Sequence, residues 1–464
     1  MPPQARRSTG CTGRRERCSL VSKNLRLKSC ASAPWAKSRT KSVRARLSKY
    51  RGGLLISLGL LPAFISRGQE ALRSALSADA AIASQADATV APQPDAMHFG
   101  PVLLNLGTYT GVTFDDNINI SQNNPRSDTS IHAGLNLGFF WPATETSQLQ
   151  LNSQIGYATY LAHTRSDSIE IAPDSALTWN MSFEDGSLAW YDQFNYSQEV
   201  ITVPSVAGLS SLPRLNNTIG IRAQWLPGKW LFETGVSHSD FRSTDVTFNY
   251  LDNGAEYFFA RGAWRFADKT QAGLEFSAGQ TAYRLPIQQD NTSYSVGPYL
   301  NWGVTEFLTA TLRGGPTVYS FKANGPGQPG NTLMAYYFDI DLTHRLTEFV
   351  SHELSAKREV NLGLNKGNNY NEQLSVDYSI RWAATQNADL SLSLAYENGT
   401  QPLTILIFTR NENFARVGVT FGAAYRFTER WGGSLNFSHW DRASNLSGNN
   451  YTDNNISFQM SYRF

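Results

Sequence analysis

Arginines at alternate positions of strand-like segments are the residues of this sequence best placed to do chemistry. Nine lie on the polar faces of such segments: Arg222, Arg261, Arg265, Arg313, Arg345, Arg381, Arg416, Arg426 and Arg463. Five directly precede an apolar residue that closes a segment: Arg265, Arg345, Arg381, Arg426 and Arg463. Around a narrow aqueous space these groups would favour anions, because low-dielectric walls focus their field. The alternative is pairing with acids on the same faces, for which the candidates are Glu233, Glu275, Asp339, Asp341, Glu353 and Asp377.

Tyrosines on the same polar faces offer a second kind of chemistry. Six belong to this set: Tyr109, Tyr160, Tyr191, Tyr283, Tyr299 and Tyr319. They would form a stacking track for sugar rings, or would simply fill space as amphipathic side chains.

Catalytic and metal-binding groups have no recognisable spacing. His163, His238 and His439 fall near the longer connections, and Ser239 and Asp240 follow His238. Neighbours in a strand point to opposite faces, so these residues do not predict a catalytic constellation. No Gly-x-Ser-x-Gly occurs, and the histidines are scattered. The sequence therefore predicts no enzyme, no metal site and no cofactor, although the Asp/Asn-rich connections could bind divalent cations.

Period-two alternation runs from about residue 100 to the end and defines the elements that carry these residues. In residues 373–382, Leu374, Val376, Tyr378, Ile380 and Trp382 alternate with serines, an aspartate and an arginine. About eighteen such segments (16–18) can be counted, joined alternately by eight tight turns and nine longer Asn-, Gly- and Pro-rich loops. This pattern predicts an all-β, up-and-down antiparallel sheet.

Apolar residues close the segments at regular intervals before the tight turns. They lie 36 to 45 residues apart: Trp141, Phe183, Trp225, Phe266, Val304, Leu346, Trp382 and Phe427. Phe464, the last residue, continues the series. We interpret Trp141, Phe183, Trp225, Phe266, Trp382 and Phe427 as an aromatic girdle at one membrane interface.

The N-terminal part differs in composition from the rest. Residues 1–51 hold 15 Lys/Arg and one acid, and the apolar run "LLISLGLLPAFI" follows at residues 54–65. This order predicts a basic leader and signal peptide over residues 1–68, with an over-extended start as an alternative. A nucleic-acid-binding arm is disfavoured by the apolar run. All three cysteines precede that run, and residues 69–100 form an Ala-rich spacer before a barrel over residues 101–464.

A soluble β-sandwich would also alternate, but it would place its apolar faces in a dry core and would divide eighteen strands among domains. No linker interrupts residues 101–464. Charged polar faces, girdle residues at one height, short turns and longer loops favour a transmembrane barrel with short periplasmic turns and longer extracellular loops. The mean hydropathy of −0.34 agrees, because half of each strand would face water.

The chain resembles bacterial outer-membrane β-barrel proteins of the porin type in its "ISFQMSYRF" terminus, its leader and its hairpin repeat. "FDDNINIS" at residues 114–121 resembles the start of the putative β-barrel porin 2 group, and also barrels of exopolysaccharide secretion systems. The resemblance implies the outer membrane of Gram-negative bacteria, with lipid, lipopolysaccharide and the barrel-assembly machinery as partners. It also implies that Ile456, Phe458, Met460, Tyr462 and Phe464 are the assembly signal.

The expected function is a channel for passive diffusion of small hydrophilic solutes. Two alternatives stay open, an export barrel for exopolysaccharide and a structural or adhesive barrel with a plugged lumen. The loop "VPSVAGLSSLPR" at residues 203–214 is the most apolar of the long ones and either folds inward or lies on the surface. The sequence does not decide between a monomer and a homotrimer.

Overall fold

The computed structural model describes residues 96–163, 167–198, 203–209, 211–324, 328–405 and 408–464. The predicted leader and most of the predicted spacer lie outside these residues. No helix in the described ranges is long and apolar enough to cross a membrane.

The described chain is built almost entirely from strands. The first ten are β1 Met97–Phe99, β2 Val102–Asp115, β3 Asp128–Thr144, β4 Ser147–Tyr160, β5 Ser168–Ile171, β6 Ala176–Phe183, β7 Gly186–Ser197, β8 Arg214–Trp225, β9 Trp230–Ser243 and β10 Asn253–Ala267. The next ten are β11 Thr270–Tyr283, β12 Asn291–Gly303, β13 Leu308–Phe321, β14 Asn331–Arg345, β15 Val350–Leu362, β16 Tyr370–Ala383, β17 Ala388–Ile405, β18 Phe408–Arg426, β19 Trp431–Ser444 and β20 Tyr451–Arg463. A short 3-10 helix, Val246–Leu251, lies between β9 and β10.

These strands form one closed antiparallel barrel with eighteen strand positions in its wall, as the sequence predicts, and we call each position a stave. β5 and β6 make a single stave, because β5 pairs with residues 155–158 of β4 and β6 pairs with residues 147–152 of the same strand. β1 is a short addition that pairs only with the start of β2. The last strand closes the ring, with β20 pairing against β2 from Gly107↔Arg463 to Asp115↔Asn455.

The two faces of each strand have opposite character, and the apolar face is the exposed one. All six aromatic residues of the predicted girdle are exposed on the outside, and Phe266 has 63% of its surface accessible. Lumen-facing polar residues are buried instead, and Glu233 is 5% exposed. A surface of this kind suits lipid, because a closed ladder satisfies the backbone without water.

The staves are joined by tight turns at one end, the turn rim, and mostly by longer loops at the other end, the loop rim. One of the nine predicted long loops is absent. β17 and β18 stay paired up to Ile405↔Phe408, so this hairpin extends beyond its neighbours instead of opening into a loop. Continued pairing satisfies the backbone groups that a loop would leave to water.

Candidate functional site: the lumen and its inward loops

A belt of ion pairs crosses the lumen face of β8 to β11. Arg222 pairs with Glu233, and Arg261 lies 3.4 Å from Glu233 and 3.1 Å from Glu275. The register explains the belt, because Arg261 stands directly opposite both Glu233 and Glu275. Tyr337, on β14, donates to Glu275 at 3.0 Å.

Two further lumen arginines also pair with the acid directly across the ladder. Arg313 Nε donates to Asp339 at 2.9 Å, and Arg416 Nε donates to Glu397 at 2.7 Å. The Arg416 guanidinium also lies 4.1 Å from the centre of the Trp440 ring. The sequence predicts that the lumen arginines either act as free charges or pair with neighbouring acids. Pairing is what the structure shows for Arg222, Arg261, Arg313 and Arg416.

Removing one partner of the buried Arg416–Glu397 pair is expected to destabilise the barrel strongly. The two side chains are 1% and 3% exposed, so Arg416→Met would leave an uncompensated buried carboxylate. We expect a loss of about 3–5 kcal/mol in free energy of unfolding, and Arg416→Met/Glu397→Leu should recover most of it. Urea unfolding in lipid vesicles, followed by tryptophan fluorescence, measures both variants. A single variant as stable as the wild type would contradict this reading.

Arginines near the turn rim behave differently from those of the belt. The five are Arg265, Arg345, Arg381, Arg426 and Arg463, and none makes an ion pair within the described residues. The Arg265 side chain donates to the Gly228 carbonyl, and Arg426 lies 3.5 Å from the Gln386 carbonyl. All five lie at one height on β10, β14, β16, β18 and β20, which makes an arc of positive charge.

Two of the three remaining predicted lumen acids, Asp341 and Asp377, also face inward. Asp341 and Asp377 each stand opposite Ser355, on either side of β15. Asp341 lies two residues from the Asp339 of the Arg313 pair, so negative charge is concentrated there.

The described residues 203–209 and 211–213 of the loop between β7 and β8 lie inside the barrel, in agreement with the inward-folding expectation for this sequence. Gln401, on β17, donates to the Ser205 carbonyl at 2.8 Å, and Arg442, on β19, donates to the Pro204 carbonyl at 2.7 Å. The loop starts from β7 and β8, so Gln401 lies about half way round the ring. The loop therefore reaches across the lumen to the far wall, and we call its residues 203–213 the crossing loop.

An apolar cluster forms where this loop meets others inside the loop rim. Its buried members are Ile120, Val203, Val206, Leu212, Phe241, Leu251, Leu362, Leu364 and Tyr451. Ile120, Leu251 and Leu364 come from three further connections, so four inward-facing segments share one small core. Tyr250 donates to the Leu364 carbonyl at 2.8 Å, and burial raises the pKa of its phenol.

A buried ion pair anchors the crossing loop to the far wall. Arg442 Nη2 lies 2.9 Å from Glu412 Oε1, and the two side chains are 0% and 1% exposed. Glu412 also accepts from Gln401 at 2.7 Å and from Ser444 at 2.6 Å. Gln401 and Arg442 thus both donate to the loop, and Glu412 contacts both of them. The sequence analysis did not predict a role for Glu412 or Arg442. In the sequence, only their places on the polar faces of strand-like segments near the longer loops could have indicated such a role.

Three of the six predicted lumen tyrosines fill space in the barrel wall. Tyr109, Tyr191 and Tyr299 are buried. Tyr109 packs on Gly156, where a Cβ would come 2.1 Å from its hydroxyl oxygen. Rings covered in this way do not present a free stacking face, which favours the space-filling alternative for these three.

Histidines near the loop rim make local polar contacts. His238 faces outward between Glu256 and Asp240, while His163 and His439 contact Asp128 and Asn454, each at 2.7 Å.

One constellation was missed by the sequence analysis. Ser130 Oγ lies 2.7 Å from His132 Nε2, and Glu170 lies 3.5 Å from His132 Nδ1. The spacing of two along β3 is the signal that places Ser130 and His132 on one face. The backbone of β3 is paired to strands on both sides, so the described residues show no free pair of N–H donors for an oxyanion. The contact is a polar part of the lumen wall.

Three carboxylates meet where β2 and β20 close the barrel. Asp115, Asp116 and Asp453 have ligand oxygens within 4.8 Å of one another. One oxygen of Asp453 is buried without a hydrogen-bond partner among the described residues. Carboxylate oxygens are the ligands that hard divalent cations prefer, so these are the residues that could hold such a cation.

Comparison with known proteins gives similarity at the level of fold. No protein-family model and no curated protein matches the sequence. The outer-membrane protein OpdK of Pseudomonas aeruginosa aligns at 11% identity with a TM-score of 0.47, over 78% of this chain and 99% of that chain. OccK2 (OpdF) of the same organism, solved with glucuronate, aligns at 10% identity with a TM-score of 0.45, over 78% and 98%.

A third structure, OccAB4 of Acinetobacter baumannii, aligns at 10% identity with a TM-score of 0.42, over 80% of this chain and 100% of that chain. All three superpose loosely, so the description of this barrel rests on its own strand pairing. That pairing, the apolar outside and the charged lumen give the fold of a porin-type outer-membrane β-barrel.

Proposed function

We propose that this protein is an outer-membrane channel for passive diffusion of small hydrophilic solutes. The exposed apolar belt suits the hydrocarbon of a bilayer, and the eighteen-stave ring is wide enough to enclose more than side chains. A lumen lined by ion pairs, amides and hydroxyls would hold water, and such a channel needs no cofactor and no catalytic group.

The observation that carries the proposal is the loop that crosses the lumen. Its contacts to Gln401 and Arg442 place Pro204 and Ser205 inside the loop rim, where they narrow the passage. A crossing loop of this kind sets a size limit, which suits small solutes and disfavours a wide conduit for exopolysaccharide. It also makes conduction the test that separates a channel from a plugged structural barrel.

The arc of unpaired arginines supports a preference for anions. Belt arginines are neutralised by neighbouring acids, whereas the five near the turn rim keep their charge free within the described residues. We therefore propose small anionic hydrophilic solutes as the preferred class, attracted by the field of this arc.

Liposome swelling with sugars of increasing size tests the size limit. We expect glucose to enter proteoliposomes readily and raffinose to be excluded, because the crossing loop narrows the lumen. Protein-free vesicles give the baseline. Equal rates for glucose and raffinose would indicate a wide conduit, and no swelling with either sugar would indicate a plugged barrel. Both outcomes contradict the proposal.

Deleting Phe464 is expected to impair assembly in cells more than stability. The Phe464 side chain is exposed, its N–H donates to the Leu106 carbonyl at 3.0 Å, and its ring contacts Tyr462. Loss of one exposed side chain and one terminal backbone hydrogen bond should lower the free energy of unfolding by only about 1 kcal/mol. If the terminus is the assembly signal, the heat-modifiable form should nevertheless fall sharply in cell membranes.

The matched control for this deletion is Phe464→Tyr, which keeps a terminal aromatic residue. It should assemble normally, and the deleted chain should still fold when added to detergent micelles. Equal amounts of folded barrel in membranes for deletion and wild type would contradict the assigned role.

A further inference from the structure

Pairing between β14 and β15 stops half way up the barrel wall. Their ladder runs only from Phe338↔Arg358 down to Arg345↔Ser351. Above this point β14 stays paired with β13 up to Asn331, and β15 stays paired with β16 up to Leu362. The two strands therefore separate, and we call the gap between them the fork. An unpaired strand edge is costly near lipid, so a fork requires an explanation.

The two arms of the fork lie on different sides of the wall. Residues 359–362 of β15 are buried on both faces, with exposures of 3–8%. On β14 the outward-facing residues of this part are exposed, with 81% of the surface of Met334 and 55% of that of Tyr336 accessible. The upper part of β15 thus leans into the lumen, while the upper part of β14 remains outside.

Side chains close the wall behind the outer arm. Tyr319, on β13, donates to the Val360 carbonyl on β15 at 3.2 Å. The ring of Phe321, also on β13, stacks on Tyr370 of β16 with centroids 5.5 Å apart. β13 therefore contacts β15 and β16 directly, past β14. Side chains can rotate without breaking a backbone ladder, so this closure is easier to open than a hydrogen-bonded pair of strands.

Arg358 occupies the branch point of the fork. Its Nη1 donates to the Tyr336 carbonyl at 2.6 Å, its guanidinium lies 3.9 Å from the Tyr336 ring centre, and Glu372 pairs with it. The Tyr336 carbonyl thus points toward β15, and by strand parity the N–H and C=O groups of Thr332 and Met334 do so as well. Among the described residues, no backbone hydrogen bond joins these groups to β15.

Cavities lie on both sides of Arg358. Inside the fork, a cavity of 30 Å³ is lined by Tyr319, Asp339 and Lys357 among others. Outside, a groove of 680 Å³ runs over β16 to β19 and includes Tyr396 and Asn398. Arg358 lines both, so it would meet a molecule moving between the lumen and the outer surface.

We propose that the fork is a lateral gate through which amphipathic anions pass between the lumen and the membrane-facing surface. The anionic head group of the solute replaces Glu372 as the ionic partner of Arg358. Its apolar body passes along Met334 and Tyr336. In the shut state the ladder extends in its existing register, pairing Ala335 with Asn361. This activity goes beyond axial diffusion of hydrophilic solutes and does not depend on it.

A cysteine pair across the fork tests the gate. Ala335→Cys/Asn361→Cys is introduced into the chain with Cys11, Cys18 and Cys30 replaced by serine. Extension of the ladder makes this a non-hydrogen-bonded pair, which suits a disulfide. The matched control is Thr343→Cys/Glu353→Cys, two positions already paired on the same strands.

The probe is decanesulfonate, a permanently charged amphipathic anion, compared with the hydrophilic methanesulfonate in proteoliposomes. We expect the disulfide across the fork to lower decanesulfonate uptake about fivefold or more and leave methanesulfonate uptake unchanged, because only the lateral route is shut. Reduction should restore uptake, and the control disulfide should have no effect.

Three results would overturn the gate. They are failure of the fork cysteines to join while the control pair joins, unchanged decanesulfonate uptake after joining, and equal losses for both probes. Methanesulfonate uptake absent in the wild type, with decanesulfonate uptake still blocked by the disulfide, would support the gate and refute the proposed axial channel. The two ideas therefore fail separately.

Arg358→Gln tests the charge selectivity assigned to the branch point. Removing the cation should lower the uptake ratio of decanesulfonate to decyltrimethylammonium about threefold or more, because the anionic head loses the guanidinium that lines both cavities. Arg358→Lys, which keeps the charge, should preserve most of the ratio. An unchanged ratio in Arg358→Gln would remove Arg358 from the passage and contradict the proposal.

Discussion

Cutting the anchor of the crossing loop should widen the channel, with single-channel conductance rising about twofold or more in the variant Arg442→Met/Glu412→Leu. Both charges are removed together because a single substitution would leave a buried, unpaired charge. The loop then loses the Arg442 donor to the Pro204 carbonyl and the Glu412 acceptor that orients Gln401. Conductance steps in planar bilayers measure the change.

The matched control is Arg416→Met/Glu397→Leu, which removes a buried pair of the same chemistry from the neighbouring ladder. Its two residues pair with each other, and they lie four residues further from the loop rim than Gln401 and Glu412 on the same two strands. Its conductance should stay close to that of the wild type. If both double variants conduct alike, the Arg442–Glu412 pair does not hold a constriction.

Neutralising the rim arginine arc is expected to lower anion preference. In Arg345→Gln/Arg381→Gln/Arg426→Gln, three of the five unpaired guanidinium groups lose their charge while the belt pairs stay intact. The anion-to-cation permeability ratio should fall about threefold or more, because these charges set the potential at the turn rim. Reversal potentials in a salt gradient give the ratio directly.

A control with the same change of charge uses the opposite rim. Arg284→Gln/Lys322→Gln/Lys366→Gln removes three cations from the long loops, where Lys322 lies 3.8 Å from Asp290. This variant should shift the reversal potential much less. A cation-selective wild type, or equal shifts in the two triple variants, would show that the rim arginines do not set selectivity.

The stave number, the closure and the facing of the predicted residues follow from local rules. Strict alternation places Trp225 outside and Arg222 inside once a strand is assigned, since the period is two. The regular interval from Trp141 to Phe464 fixes the hairpin length, so β20 meets β2 as predicted. These features depend on residues close together in the chain.

Pairing partners and loop paths depend instead on register and on long-range contacts. Arg261 bridges Glu233 and Glu275 only because three strands align in one register, which composition does not fix. The path of the crossing loop depends on Arg442, more than two hundred residues away in the chain. The fork could not be predicted from the sequence. Residues 359–362 alternate like those of any other wall strand, although both of their faces are buried in the structure.

Ion conductance of the purified wild-type barrel in planar lipid bilayers tests the central claim most directly. The account predicts discrete, stepwise currents from protein that is heat-modifiable on gels, with a reversal potential that indicates anion preference. Folded, membrane-inserted protein that gives no steps above the lipid baseline would contradict the channel and leave a plugged barrel.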